Sequence, residues 1–173
     1  MLFKLFGAIL IICASSKIGF DFAACLTKRV EQLQDIKLGL SSILTEISFR
    51  GTPLAEALLK GAEIMHSQAK DIFTSASKKL SSISCITAKE AFLTAIEDFE
   101  GDTALKKDDF TVLRGFAGLL GTSDLANQTA NIEITQKKLD SLTQQAELQR
   151  DKYTKLFRSC GVLAGLLITV LFL

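Results

Sequence analysis

The amino-acid sequence predicts an all-α fold, a helical bundle in which two long antiparallel helices continue into N- and C-terminal transmembrane helices. Three observations support this prediction. The chain of 173 residues has one proline and no tryptophan, and its many leucine, alanine, lysine, glutamate and glutamine residues favour helix. Both ends of the chain are strongly apolar. Between them, apolar residues recur at spacings of three and four, the period of a helix with one buried face.

The apolar ends divide the sequence into three predicted segments. Residues 1–24 carry three charged side chains and are predicted to form the N-terminal transmembrane helix. Residues 158–173 carry one charge, Arg158, and are predicted to form the C-terminal one. This second run approaches the ~20 residues that a span needs if Leu156 and Phe157 are added and Arg158 extends its charge to the headgroups. Residues 25–157 form the helical domain between the spans.

Each apolar end has a second interpretation. The first could be a cleaved signal peptide, with Lys4 before the apolar run and Ala14-Ser15-Ser16 as the cleavage region. The apolar, helix-like stretch of residues 19–26 beyond that point favours an uncleaved anchor. The second end could be a buried core helix, but a charge-free run that reaches the last residue favours a membrane anchor.

Basic residues flank both apolar ends on the side of the central segment. Since lysine and arginine are enriched on the cytoplasmic side of membrane spans, we expect residues 25–157 to lie in the cytoplasm. Both termini are then expected to lie outside it. The flanking basic residues are Lys17, Lys28, Arg29, Arg150, Lys152, Lys155 and Arg158.

Glycine, threonine and proline predict the end of the first long helix and the start of the second. Gly51 is expected to end the first helix, and Thr52 to cap the second with its hydroxyl. Pro53 is expected at the first helical position, where its missing N–H costs nothing. The second helix then runs from Leu54 to about Met65. The buried stripe of the first helix is expected at Leu26, Val30, Leu33, Ile36, Leu40, Leu44 and Ile47.

Three more helices complete the predicted bundle. A third over about 70–80 and a loop over 81–87 precede a fourth, whose start is marked by a capping box between Thr87 and Glu90. A fifth helix is expected to end at Gly121, and glycines 115, 118 and 121 predict close packing. The last helix starts at Ser123. Its coiled-coil-like seam is expected at Leu125, Gln128, Ile132, Thr135, Leu139, Leu142, Ala146, Gln149, Tyr153 and Leu156.

Composition argues against several classes of function. Twenty basic and 19 acidic residues are interleaved and give a net charge of +1, whereas nucleic-acid-binding proteins show a basic excess on one face. The four cysteines, at 13, 25, 85 and 160, form no C-x-x-C pair and are predicted to be reduced. His66 is the only histidine, so neither a histidine zinc site nor a nucleophile–base pair is expected. We therefore predict no enzyme activity, no cofactor and no catalytic, cofactor-binding or metal-binding residue.

Two short motifs are candidate contact sites. Gly51, Thr52, Pro53, Leu54 and Glu56 could bind a partner protein, although the same residues are also explained as a well-formed helix start. Gly161 and Gly165 form a G-x-x-x-G motif, in which small residues let two transmembrane helices approach closely. The helix that packs against this motif could be the N-terminal span or a helix of a partner.

Several local patterns in this sequence resemble the bacterial stage III sporulation protein AB family. The order and spacing of the patterns cover essentially the whole chain, although residues 73–105 match in pattern only. Cys160 departs from the usual larger aliphatic residue. The matching patterns are Gly19-Phe20, Arg29, Gln32-Leu33, Glu46-Ile47, Thr52-Pro53-Leu54-x-Glu56-Ala57-Leu58, Leu120-Gly121-x-x-Asp124-x-x-x-Gln128-x-x-x-Ile132 and Gly161-Val162-Leu163-x-Gly165-Leu166-Leu167.

The resemblance implies a specific membrane role. That family is similar to the F-type platform proteins of type II secretion and type IV pilus machines, which share a segment like residues 51–58. It implies a non-catalytic platform in the mother-cell membrane facing the forespore, within a secretion-like channel complex needed for endospore formation. The implied partners are a secretion-type ATPase, bound through the cytoplasmic domain, and other membrane subunits of the complex, together with the lipid bilayer. No nucleic-acid partner is implied, and self-association is left open.

One alternative follows from the residue patterns alone, without the family resemblance. Two anchors and a coiled-coil-like last helix would also suit an envelope tether or sensor unrelated to secretion. A cleaved N-terminus in the mature protein would favour this alternative.

Overall fold

The computed structural model describes residues 2–82, 87–101, 103–120 and 125–172, and within these ranges it is helical with no strand. Six helices follow one another, and the predicted all-α fold is confirmed. The first and last are 49 and 48 residues long, and both are long and apolar enough to cross a membrane. The helices are α1 (Leu2–Arg50), α2 (Leu54–Glu63), α3 (Lys70–Ser82), α4 (Ala88–Phe99), α5 (Lys107–Leu119) and α6 (Leu125–Phe172).

The chain folds as two compact units. The terminal unit comprises Met1–Val30 and Gln145–Leu173, and the central unit comprises Glu31–Gln144. This division follows contacts within the chain. The membrane boundaries near residues 24 and 158 stay a prediction.

In the central unit, α1 and α6 are antiparallel. Lys37 forms an ion pair with Asp140, and Ser48 shares a hydrogen bond of 3.2 Å with Thr129. The buried face of α1 follows the predicted stripe, except that Leu26 and Leu44 are only half-buried and Ile43 is fully buried. The predicted seam residues of α6 that lie buried are Ile132, Thr135, Leu139 and Ala146.

The short helices add an aromatic core to the central unit. Phe73 of α3 meets Phe92 of α4 edge to face at 5.4 Å between ring centroids, and Phe92 meets Phe116 of α5 in the same way at 5.3 Å. All three rings are buried. Because aromatic rings bury a large apolar area and prefer this geometry, the chain of three rings links the three helices.

The terminal unit contains one antiparallel pair made by the ends of α1 and α6. The rings of Phe22 and Phe157 stack at 5.6 Å between centroids, and the buried Arg29 donates a hydrogen bond of 3.2 Å to Gln149. Leu156, which the seam pattern placed at this contact, is exposed. The step from Tyr153 is four residues and not three, so Phe157 takes the inward position.

Other local predictions differ from the structure. α2 ends at Glu63, two residues before Met65, and α3 extends through Ser81 and Ser82, which were expected in a loop. An added Cβ at Gly115 or Gly118 would meet nothing within 4 Å, so the close packing predicted there is wrong. Gly121, Ser123 and Cys85 lie outside the described residues.

The start of α4 is formed as the sequence predicts. The Thr87 hydroxyl accepts a hydrogen bond from the Glu90 N–H at 3.2 Å, and the Glu90 carboxylate accepts one from the Thr87 N–H at 3.1 Å. Both bonds of the predicted capping box are present, so this prediction is confirmed. It could be made from sequence because all of the partners lie within four residues. The hydrogen bonds from the Thr87 backbone and hydroxyl lower the pKa of Glu90.

Candidate functional site

The corner between α1 and α2 is organised by one carboxylate, that of Glu46. This side chain is only 8% exposed, lies beyond the apolar segment of α1, and accepts three hydrogen bonds. Arg50 donates to its Oε1 at 2.7 Å, Thr52 donates its hydroxyl to Oε2 at 2.8 Å, and Lys60 donates to Oε2 at 2.9 Å. A buried carboxylate is costly unless it is paired and hydrogen-bonded, and here both conditions are met.

The same contacts shift two pKa values. The hydrogen bond from Lys60, followed by that from Thr52 and the positive charge of Arg50, lowers the pKa of Glu46 against the opposing effect of burial. The pKa of Lys60 is raised, first by its hydrogen bond to Glu46 and then by that to Glu56, which lies 3.1 Å away. Both groups are therefore charged at neutral pH, and Glu56 extends the network to the surface.

Backbone geometry completes the corner. Gly51 has a φ of +63°, a left-handed conformation that glycine adopts without strain, and it ends α1. The next N–H, that of Thr52, donates to the carbonyl of Glu46 at 3.1 Å. Glu46 thus fixes this turn through its main chain and through its side chain.

The structure corrects the predicted start of α2. The Thr52 hydroxyl does not cap this helix, because it donates to the Glu46 carboxylate instead. Pro53 is the residue that precedes the helix and not its first helical residue, and no side chain caps α2. α2 is instead held by its packing, and the Ala55 carbonyl accepts a hydrogen bond of 2.6 Å from the Ser77 hydroxyl.

The five candidate contact residues lie together at this corner, and they differ in exposure. Gly51, Pro53 and Glu56 are exposed, whereas Thr52 and Leu54 are half-buried. The preceding Phe49 is 85% exposed, the largest exposed fraction among the large apolar side chains described. The corner therefore presents an aromatic ring and a proline beside the charges of Arg50 and Glu56. We name Phe49, Arg50, Pro53 and Glu56 the corner surface.

A second buried polar residue of α1 holds another loop. The Gln32 side-chain oxygen accepts hydrogen bonds from the Thr103 hydroxyl at 3.0 Å and from the Ala104 N–H at 3.1 Å. Gln32 is buried, and these bonds tie the segment between α4 and α5 to α1. The loop in turn leads into α5, whose buried Asp109 accepts a hydrogen bond of 2.8 Å from the Lys106 N–H.

Asp35 does the same for the segment between α2 and α3. Its carboxylate accepts hydrogen bonds from two successive N–H groups, that of His66 at 2.8 Å and that of Ser67. With Glu46 and Gln32, it makes α1 the helix to which three separate connections are fastened. Asp35 fastens its loop through the backbone of His66, and the side chain of His66 is exposed, as predicted.

Sequence reasoning gave no structural role to Glu46, Gln32 or Asp35. A signal was present for the first two: Gln32 lies four residues before the buried Ile36 and Glu46 three residues after the buried Ile43, so they are polar residues on the apolar face of α1. Each of the three has at least one partner 14 or more residues away on another element, which no local pattern shows.

Glycines form the other candidate site, in the terminal unit. An added Cβ at Gly161 would lie 2.9 Å from the Ser15 carbonyl oxygen and 3.0 Å from the Gly19 Cα. One at Gly165 would lie 2.9 Å from the Ile12 Cα. The G-x-x-x-G motif of α6 is therefore at the contact with α1, where its backbone reaches the backbone of that helix. Its place in a membrane stays a prediction.

Chemistry-bearing residues are dispersed in the part of the chain that the structure describes. No three His, Cys, Asp or Glu side chains come together there as a set that could hold a metal ion. Cys13, Cys25 and Cys160 are exposed free thiols. The two candidate sites that the structure does assemble are the corner surface, which is exposed, and the glycine contact, where α6 approaches α1.

Comparisons with known proteins agree with this architecture. The family model described as stage III sporulation protein AB matches residues 4–173. A stage III sporulation protein AB of Bacillus subtilis (strain 168) is 31% identical over 168 residues, which cover 97% of this chain and 98% of that protein. A solved structure of a stage III sporulation protein AB matches with a TM-score of 0.67 and 25% identity, and it covers 72% of this chain and 98% of its own. The chain belongs to the stage III sporulation protein AB family.

Proposed function

We propose that this protein is a non-catalytic membrane platform subunit of the secretion-like complex that connects mother cell and forespore during endospore formation. It docks a secretion-type ATPase through its central unit, which lies in the mother-cell cytoplasm, and α1 and α6 anchor it in the mother-cell membrane with both termini outside the cytoplasm. Membership of the sporulation family and two helices able to span a membrane support this proposal.

The observation that carries the docking part of the proposal is the corner surface. An aromatic ring that is 85% exposed contributes nothing to the core of its own chain. Exposed aromatic residues beside an arginine are the residue types that most often dominate the binding energy of protein interfaces. The Glu46 network holds the backbone beneath them in one conformation, so the surface is preorganised for binding.

Deletion and complementation test the proposal. A clean deletion of the gene should abolish heat-resistant spores, and a plasmid copy of the wild-type gene should restore them. The Phe49→Ala copy should restore few, since loss of an interface aromatic weakens binding by about tenfold or more. Leu38→Ala is the matched control, because Leu38 is an exposed large apolar residue of the same helix, α1. This copy should restore spores fully.

Co-purification tests the ATPase contact directly. Tagged full-length protein, extracted from sporulating cells in detergent, should retain the cognate ATPase, and the Phe49→Ala variant should retain much less at equal protein level. If the wild-type protein retains no ATPase, the docking role is wrong. If the wild-type protein and the Phe49→Ala variant retain the ATPase equally, it binds elsewhere on the chain. Normal sporulation of the deletion strain would contradict the channel role as a whole.

A further inference from the structure

The terminal unit carries a group of exposed basic side chains next to its exposed apolar surface. We name Lys17, Lys28, Lys152, Lys155 and Arg158 the basic collar; all five are exposed. Beyond the collar, towards the chain ends, most of the exposed residues described are large and apolar. The apolar ones described there are Phe6, Ile9, Leu10, Val162, Leu163, Leu166, Leu167, Ile168, Val170 and Leu171.

Positive charge dominates at the collar. Residues 17–30 and 145–160 contain seven basic residues and three acidic ones. Of the acids, Asp151 is paired with Arg150 at 2.9 Å. Among the described residues, no carboxylate lies within 4 Å of the ammonium groups of Lys17, Lys28 or Lys155. In the described part of the chain, these three charges are therefore not neutralised by an ion pair.

Aromatic residues lie at the same level of the helix pair as the collar. The Arg158 guanidinium is 5.7 Å from the centroid of the Phe20 ring, and the Lys152 ammonium is 5.2 Å from that of Tyr153. Tyrosine concentrates at the boundary between a bilayer and water, and the cation–π contacts hold two basic groups beside these aromatic rings. The headgroup layer of a bilayer that covers the apolar surface thus coincides with the collar.

We propose that the basic collar binds the headgroups of anionic phospholipids. The exposed apolar surface fixes the depth of the unit in the bilayer, and five exposed cations then meet the layer in which lipid phosphates lie. Unpaired lysine and arginine at this depth attract anionic headgroups over zwitterionic ones, because only the former carry a net negative charge. The inference rests on the membrane-anchoring part of the proposed function and not on the ATPase contact.

Spin-labelled lipids test this inference. The full-length protein is reconstituted in phosphatidylcholine bilayers containing a trace of spin-labelled phosphatidylglycerol or spin-labelled phosphatidylcholine. The motionally restricted fraction of each lipid is then measured by electron paramagnetic resonance. Phosphatidylglycerol should associate at least twofold more strongly, since one basic residue near a bilayer surface has an effect equivalent to about fivefold. Raising the salt concentration should reduce this preference, because salt screens exposed charges.

A triple variant and a matched control make the test specific. Lys28→Gln, Lys155→Gln and Arg158→Gln combined should lower the ratio clearly towards one, because three of the five collar charges are removed while Lys17 and Lys152 remain. Lys89→Gln, Lys107→Gln and Lys138→Gln, three exposed basic residues of the central unit, should leave it unchanged. Equal association of the two lipids with the wild-type protein, or an undiminished ratio in the collar variant, would overturn the inference. Failure of the protein to enter phosphatidylcholine bilayers, measured first by flotation, would count against the membrane anchor itself.

Discussion

At the residue scale, the corner between α1 and α2 depends on Glu46. Its carboxylate is the common acceptor for Arg50, Thr52 and Lys60, and two of these three donors carry a full charge. Hydrogen bonds to charged groups are roughly twice as strong as neutral ones. Since the acceptor is ionised in all three bonds, removing the charge of Glu46 weakens all of them and leaves Lys60 partly buried with a weaker acceptor.

We expect Glu46→Gln to lower the stability of the protein in a pH-dependent way. The pKa of Glu46 in the folded chain lies below its ordinary value of 4.5. Its ionised form therefore stabilises the fold fully above about pH 4.5, and this contribution is lost as the pH falls through the folded-state pKa. Thermal unfolding of the detergent-solubilised protein should show a large difference between wild type and variant at pH 7. The difference should shrink below pH 4.5.

The control for this prediction is Glu31→Gln, because Glu31 is an exposed carboxylate of the same helix. It should change the melting temperature little at either pH. A Glu46→Gln variant as stable as the wild type at pH 7 would show that the network does not hold the corner. Glu46→Gln should also make residues 51–53 more sensitive to proteolysis. Glu31→Gln should not, since Glu46 and not Glu31 holds that turn.

At the element scale, glycine has opposite effects in different helices. An added Cβ at Gly61 would lie 2.8 Å from the Ile43 Cγ1 and 3.0 Å from the Gly39 carbonyl oxygen, so α2 approaches α1 through this residue. At Gly115 of α5 the space is open. The sequence shows a glycine inside a helical pattern in both cases, and only the packing distinguishes the two.

We expect Gly61→Ala to destabilise the protein by about 1–3 kcal/mol, because the methyl group overpacks a close contact. Gly115→Ala should stabilise it by about 0.5–1 kcal/mol, since alanine favours a helix interior and no atom obstructs its methyl group. Thermal unfolding of both variants in one buffer checks the opposite signs. Two shifts of the same sign would contradict the packing described for α2.

The glycine contact of the terminal unit gives a parallel prediction. We expect Gly161→Val to separate α1 from α6 there, because its Cβ would collide with the Ser15 carbonyl and the Gly19 Cα. In a background without other cysteines, a Phe22→Cys and Phe157→Cys pair should form a disulfide readily, and Gly161→Val should slow its formation severalfold. Gly7→Val, where the space is open, should leave the rate unchanged. Equal rates in all three would argue against a tight contact.

Elements whose signals are local were predicted best. The capping box of α4 was predicted from Thr87 and Glu90 alone, since both partners lie within one turn. The cap assigned to Thr52 was wrong because Glu46, six residues earlier, competes for the same hydroxyl. The periodicity of α6 gave four buried seam residues, Ile132, Thr135, Leu139 and Ala146, but it placed Leu142 where Thr143 is buried. No pattern showed that Phe22 would draw Phe157 inward.

At the scale of the whole molecule, the prediction from sequence was strongest. A long periodic or apolar run identifies a helix from many residues together, so one misjudged contact does not change the prediction. The six helices and the two apolar end helices follow from such runs. The corner surface shows the opposite case. Of its residues, only Pro53 and Glu56 were named from the turn pattern, and its geometry depends on Lys60 and Glu46, which lie on different helices.

The proposed topology gives a prediction for the intact protein. With the native cysteines replaced by serine, a cysteine at Lys138 should react with a membrane-impermeant maleimide only in inverted membrane vesicles, because we expect the central unit to be cytoplasmic. A cysteine added before Met1 should react in intact protoplasts. Labelling of the Lys138 position in intact protoplasts would reverse the orientation, and labelling of both positions on one side would exclude a pair of spans.

The fastening of loops to α1 has a consequence for how the sequence can change over time. Asp35 binds the N–H groups of His66 and Ser67, and Gln32 binds that of Ala104. Every amino acid except proline supplies such an N–H group. The loops can therefore accumulate substitutions while their conformation is inherited from a few side chains of one helix, and proline is the replacement that this arrangement forbids.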